Sequence, residues 1–349
     1  MLVSISRSEH WVMKKRFGLP IVGVLFGCGF AAPWIFAARQ QTFQALPSQT
    51  RQNLTPLEPL NLAQIPVAEA KVSTEVALST QDEIKFQRVM NDARDRHLYQ
   101  RPIGEVMQAI AEQLLDTPYQ ENLLDESPNE TLTISLQKFD CVLFIESVLA
   151  MARGVAKQDY SASTYVNHVR EQRYANGEMN GYCSRLHYFS EWLADNQKRA
   201  IVKNLTSDLA GISIDKTLNF MSVHWQTYPQ LAHSKANRQC IAEMESKLDN
   251  ASIRYIPTQQ IQSQYAALEP GDVIAIATKI PGLDVTHTGL VYRSRSGKLG
   301  MIHAAPVKGV MISPDLQRYV AKVDDAIGIL VARPIDPRTP QNHELTSVR

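Results

Sequence analysis

Phe139-Asp140-Cys141-Val142-Leu143-Phe144-Ile145-Glu146-Ser147-Val148-Leu149-Ala150 is the stretch from which the fold can be read. From Cys141 onward it is almost wholly apolar, and it closes near Gly154. An acidic acceptor before the run and a glycine after it frame a helix. Asp140 can accept from the free N–H groups of the first turn, and glycine suits the end of the last one.

Upstream the pattern stays helical. Ile84, Val89, Met90 and Ala93 keep helical spacing, and Ile103, Val106, Met107, Ile110, Ala111, Leu114 and Leu115 form an apolar stripe. Thr131 to Leu136 alternates briefly. Downstream the pattern changes to strands. Val273 to Ala277 follows Gly271-Asp272, Val285 to Tyr292 alternates, Ser294-Arg295-Ser296-Gly297 signals a turn, and Leu299 to Ala304 returns. Helices first and a strand meander later predict an α+β fold with helices packed on an antiparallel sheet.

The chain has 349 residues, with 36 Lys and Arg against 35 Asp and Glu, for a net charge of +1. That balance argues against nucleic acid as a partner, because neutralising phosphates needs a strongly basic face. A hydrophobic content of 44% is enough for a core. Four cysteines with no CxxC pair are too few for a disulfide scaffold and exclude a cysteine-rich zinc site. Dinucleotide, P-loop and zincin motifs are absent, and the sequence calls for no metal and no cofactor.

The ends differ from the middle. Lys14, Lys15 and Arg16 precede 22 uncharged residues, Phe17 to Ala38. Basic residues before an apolar run mark an export segment, long enough to serve as a membrane tether if it is not removed. Residues 1–38 are thus expected to be a signal peptide or anchor. Residues 39–80, interrupted by Pro47, Pro56, Pro59 and Pro66, read as a flexible linker, 81–335 as one domain and 336–349 as a disordered tail. The expected location is the periplasm or cell envelope.

Chemistry centres on Cys141. At the first position of a helix, the free N–H groups and the helix dipole favour a thiolate, while the adjacent Asp140 disfavours it. The plainer alternative is a small buried hydrophobe. The histidines add weight to the chemical reading. His287 and His303 lie in the two runs flanking the turn. An odd-length loop centred on residue 295 sets them directly opposite, and one centred on 296 makes them diagonal neighbours on one face. An even-length loop parts them onto opposite faces. A three-residue loop with Gly297 in the left-handed region is a common choice. One imidazole could then deprotonate the thiol and the other orient it.

These residues belong to a longer ordered set. Phe139-Asp140-Cys141, Gln172-Arg173-Tyr174, Gly181-Tyr182-Cys183-Ser184-Arg185-Leu186-His187-Tyr188-Phe189, Gly282-Leu283-Asp284-Val285-Thr286-His287-Thr288-Gly289 and Ile302-His303-Ala304 follow one another. The set resembles the N-acetylmuramoyl-L-alanine amidase-like branch of the NlpC-type, papain-like cysteine peptidases, from about Pro102 to Arg333. The resemblance implies a nucleophilic Cys141 opening a helix, His287 as base and His303 as orienter. The substrate it implies is peptidoglycan or muropeptide fragments, cut between the lactyl group of N-acetylmuramic acid and L-alanine.

Further candidates have substrate-binding and structural readings side by side. Tyr182, Arg185, His187 and Tyr188 form an aromatic and cationic cluster in which Arg185 could clamp a carboxylate or form an internal salt bridge. Glu146 could bind substrate or be a buried structural acid. His224, Trp225 and Tyr228 could line a sugar wall or pack in the core, and Asp284 reads as a turn residue. Cys183 and Cys240 could pair in an oxidising compartment. The competing functions are an endopeptidase acting within the stem peptide, a zinc hydrolase using some of His187, His224, His287 and His303, and a non-catalytic peptidoglycan-binding envelope protein.

Overall fold

Asp140 does cap the apolar run. Its Oδ1 accepts from Val142 N at 2.9 Å and Leu143 N at 2.7 Å, and the helix runs Cys141–Ala156. In this computed structural model the described residues are 77–248, 253–306 and 308–339, and they fall within one compact unit. The expected export segment, most of the linker and residues 340–349 lie outside them. Among the described residues no helix is long and apolar enough to cross a membrane. The start of the expected tail is anchored, because Arg338 Nη2 donates to the Arg101 carbonyl at 2.8 Å.

Among the described residues the central helix is preceded by α1 (Thr80–Asp95) and α2 (Ile103–Gln113). The central helix α3 (Cys141–Ala156) is followed by α4 (Ala162–Arg173), α5 (Phe189–Lys198), the short α6 (Phe220–Val223) and α7 (Pro229–Ala232), α8 (Lys235–Leu248) and α9 (Leu316–Val320). In α1, Val89, Met90 and Ala93 are buried as the spacing predicts, but Ile84 is 60% exposed and Phe86 takes the core position. Thr131 to Leu136 forms no strand. It is an irregular segment that buries Leu132 and Leu136.

The strands are β1 (Val202–Asn204), β2 (Ile212–Ile214), β3 (Ile253–Pro257), β4 (Val273–Thr278), β5 (Val285–Arg293), β6 (Leu299–Ala305), β7 (Gly309–Ser313) and β8 (Ala326–Pro334). Their order is β2-β3-β8-β4-β5-β6-β7, with β1 also on β8, and every pairing is antiparallel. Both faces are covered. Val273, Ala275, Leu290, Ile302 and Ala304 pack with α2 and α3. Ile274, Ile276, Val291, Leu299 and Met301 pack with Leu316 and Val320 of α9. This period-two division follows from the pleat.

One irregularity positions the site. Ile276 pairs with His287 and Ala277 with Val285, so Thr286 is an extra, bulged residue. The bulge reverses the strand's parity. Val285 and Thr288 share the α3 face, while His287 faces the α9 side with Ile276.

Candidate active site

Cys141 sits at the first position of α3 and is 5% exposed. Its carbonyl accepts from Thr288 Oγ1 at 2.9 Å, and the thiol also has Thr288 as its hydrogen-bonding neighbour. The strand residue beside His287 therefore holds the start of the helix. Burial and then the charge of Asp140 push the thiol up to about 12, outweighing the Thr288 bonds and the helix start. Asp140 is itself raised to about 6 by burial, against the pull of the Leu143 N–H.

The hairpin register places both imidazoles on one face. Leu290 pairs with Ile302 and Arg293 with Leu299, a register centred on residue 296. Ser294 N donates to the Lys298 carbonyl at 2.9 Å, closing a three-residue loop in which Gly297 has φ +80°. His287 and His303 are thus diagonal neighbours. His287 Nε2 and His303 Nδ1 are 2.8 Å apart, with the rings at 87°. His303 Nε2 lies 3.0 Å from Ser313 Oγ, so a polar line crosses β5, β6 and β7. Gly289 makes room for it, because a Cβ there would meet Met301 Cε at 2.5 Å and His303 Cβ at 2.7 Å.

Burial pushes both imidazoles down. His303 falls to about 4, and His287 falls well below its ordinary value, with the His303 charge as the second cause. Both rings are neutral at pH 7. Tyr319 of α9 completes the cluster, with its ring 4.5 Å from His303 and 6.1 Å from His287. Its phenol is pushed up by burial and by the charge of a Cys141 thiolate, so it stays protonated. Neither Tyr319 nor Ser313 is signalled by sequence spacing. The return of the chain after β6 brings them there.

The four candidate substrate-binding residues are internal. Glu146 Oε2 takes the Arg173 Nε at 2.8 Å, and both side chains are buried. Arg185 is 1% exposed, reaches Asp125 at 3.0 Å and Glu130 at 3.7 Å, and covers the buried Tyr182 ring. The His187 ring nitrogen Nε2 donates to the Tyr182 carbonyl at 2.9 Å. These side chains hold the helices together rather than facing a ligand, because a charge buried this deeply must be paired. Asp284 ties a loop, accepting from Ser190 N at 2.7 Å and Val285 N at 2.8 Å. His224 is exposed and Tyr228 buried, and Arg238 lies over the Trp225 ring at 4.5 Å. Cys183 and Cys240 are disulfide-bonded, with Cα atoms 6.1 Å apart, which fastens the turn after α4 to α8.

A family model described as AmiA-like, N-acetylmuramoyl-L-alanine amidase-like, matches residues 109–329. An N-acetylmuramoyl-L-alanine amidase from Bacteroides uniformis is 29% identical, with a TM-score of 0.63 over 67% of this chain and 99% of that one. A structure from Bacteroides fragilis, provisionally named a xylanase, is 29% identical with a TM-score of 0.57 over 64% and 98%. A Legionella pneumophila protein, at 18% identity and a TM-score of 0.55 over 73% and 97%, shares the fold. Among curated proteins none matches.

Proposed function

The chain belongs to the N-acetylmuramoyl-L-alanine amidase-like family, and from that membership we propose that it hydrolyses the amide between the lactyl group of N-acetylmuramic acid and L-alanine, using Cys141 as nucleophile. The observation that carries the reading is the bonded pair His287–His303, with His287 on the strand whose Thr288 holds Cys141. Family membership supports peptidoglycan-derived substrates. The sequence before the domain supports an exported enzyme acting in the periplasm or envelope.

The resting state is a neutral thiol and two neutral imidazoles. His287 Nε2 is engaged by His303, so Nδ1 is the nitrogen left to take the thiol proton. The proton then leaves as sulfur attacks the lactyl carbonyl, and the protonated His287 returns it to the departing amine of L-alanine. The Cys141 N–H at the helix start is a donor for the oxyanion, worth about 2.7–4 kcal/mol by analogy with other such donors. Water deprotonated by His287 hydrolyses the thioester, releasing the lactyl carboxylate and restoring the thiol.

Mass spectrometry of defined muropeptides incubated with the purified protein tests this. Release of a peptide that begins with L-alanine is expected, with no turnover by Cys141→Ala. Turnover that survives in Cys141→Ala overturns the nucleophile, and cleavage inside the stem peptide overturns the bond assignment.

A further inference from the structure

The two-histidine line has two possible proton arrangements, and only one makes His287 a base. In the first, His287 Nε2–H donates to His303 Nδ1, and His303 Nε2–H donates to Ser313 Oγ. His287 Nδ1 then carries a lone pair. In the second, every bond in the line reverses and His287 Nδ1 carries a proton it cannot exchange for that of the thiol. The distances of 2.8 Å and 3.0 Å suit both.

Tyr319 breaks the tie. Its hydroxyl lies 3.5 Å from His303 Nδ1, the same atom that faces His287, and its ring packs on that imidazole at 45°. A phenol is a stronger donor than acceptor, because its oxygen lone pair is delocalised into the ring. A hydroxyl donating to Nδ1 favours that atom unprotonated, which places the His303 proton on Nε2 toward Ser313. His287 must then carry its proton on Nε2 as well.

We propose that Tyr319 is a positioning residue that selects, through His303, the His287 tautomer able to accept the Cys141 proton. Tyr319 acts on the two rings and not on the reacting bond. Its hydroxyl contact is long, so its effect is a bias between tautomers and not an absolute lock. The role rests on the thiol mechanism proposed above, but the ring protons can be read without any substrate.

The test uses purified protein labelled with 15N-histidine, compared with Tyr319→Phe, which keeps the ring wall and removes the donor. The wild-type His303 signals are expected to show the proton on Nε2, and the variant a mixture of both tautomers. On the muropeptide substrate the variant should lose about three- to tenfold in kcat, the range of one neutral hydrogen bond, with KM within about twofold and an unchanged melting temperature. Unchanged tautomers in Tyr319→Phe overturn the proposal whatever the kinetics, as does a shifted tautomer with wild-type kcat. Absence of muropeptide turnover in the wild type, with the tautomer shift present, counts against the substrate assignment and leaves the effect on the rings standing.

Discussion

In the proposed mechanism the chemistry turns on the sulfur of Cys141, and its surroundings keep it protonated. A thiol pushed up to about 12 has a thiolate fraction on the order of 10⁻⁵ at pH 7, from one decade per pH unit. Alkylation of Cys141 by iodoacetamide, followed by peptide mapping, should therefore accelerate about tenfold per pH unit from pH 7 to 10. A rate that levels off below pH 9 would place the thiol in the ordinary range and contradict the burial argument. Much of this site is legible from the sequence. Asp140 before an apolar run predicts the capped start, and the spacing of His287 and His303 predicts rings on one face. The secondary candidates are only half legible, because the sequence leaves Glu146 and Arg185 open between substrate ligand and internal ion pair until their partners are known. Those partners, Arg173 and Asp125, lie 27 and 60 residues away in the chain.

At the scale of elements, the hairpin β5–β6 depends on a residue without a side chain. Gly289 lies against His303 Cβ and the Ile302 carbonyl, where an added Cβ would come within 2.7 Å and 2.8 Å. Gly289→Ala should displace the His303 ring, lower kcat by about tenfold or more and cost about 1–3 kcal/mol of stability through overpacking. Chemical denaturation alongside steady-state kinetics reads both effects, and a variant with wild-type values of each would show that the strand relaxes freely. The alternating runs predict β4, β5 and β6 closely. The bulge at Thr286 escapes them, since one extra residue leaves composition unchanged while reversing the parity. The irregular stretch around Thr131 misleads in the opposite way, because its alternation buries Leu132 and Leu136 without any strand partner.

At the scale of the molecule, the order of the sheet is not legible. β8, the last strand among the described residues, inserts between β3 and β4 and joins β1–β3 to β4–β7, and no local pattern reports such a pairing. The Cys183–Cys240 bridge is equally long-range, closing a separation of 57 residues. Chain entropy assigns a loop of that length about 4 kcal/mol of stabilisation. Dithiothreitol should lower the unfolding midpoint accordingly, and Cys183→Ser with Cys240→Ser should match the reduced protein. An unchanged midpoint would show that α8 is held by packing alone. The cysteines thus divide into a bonded pair and, among the described residues, one free thiol, Cys141. Surroundings that maintain the bridge also carry peroxide and other oxidants, which consume thiolates first, by way of sulfenic acid. A sulfur that is shielded and almost never ionised is a poor target for them, so in the proposed mechanism the features that make Cys141 a slow nucleophile at rest also preserve it for the next catalytic cycle.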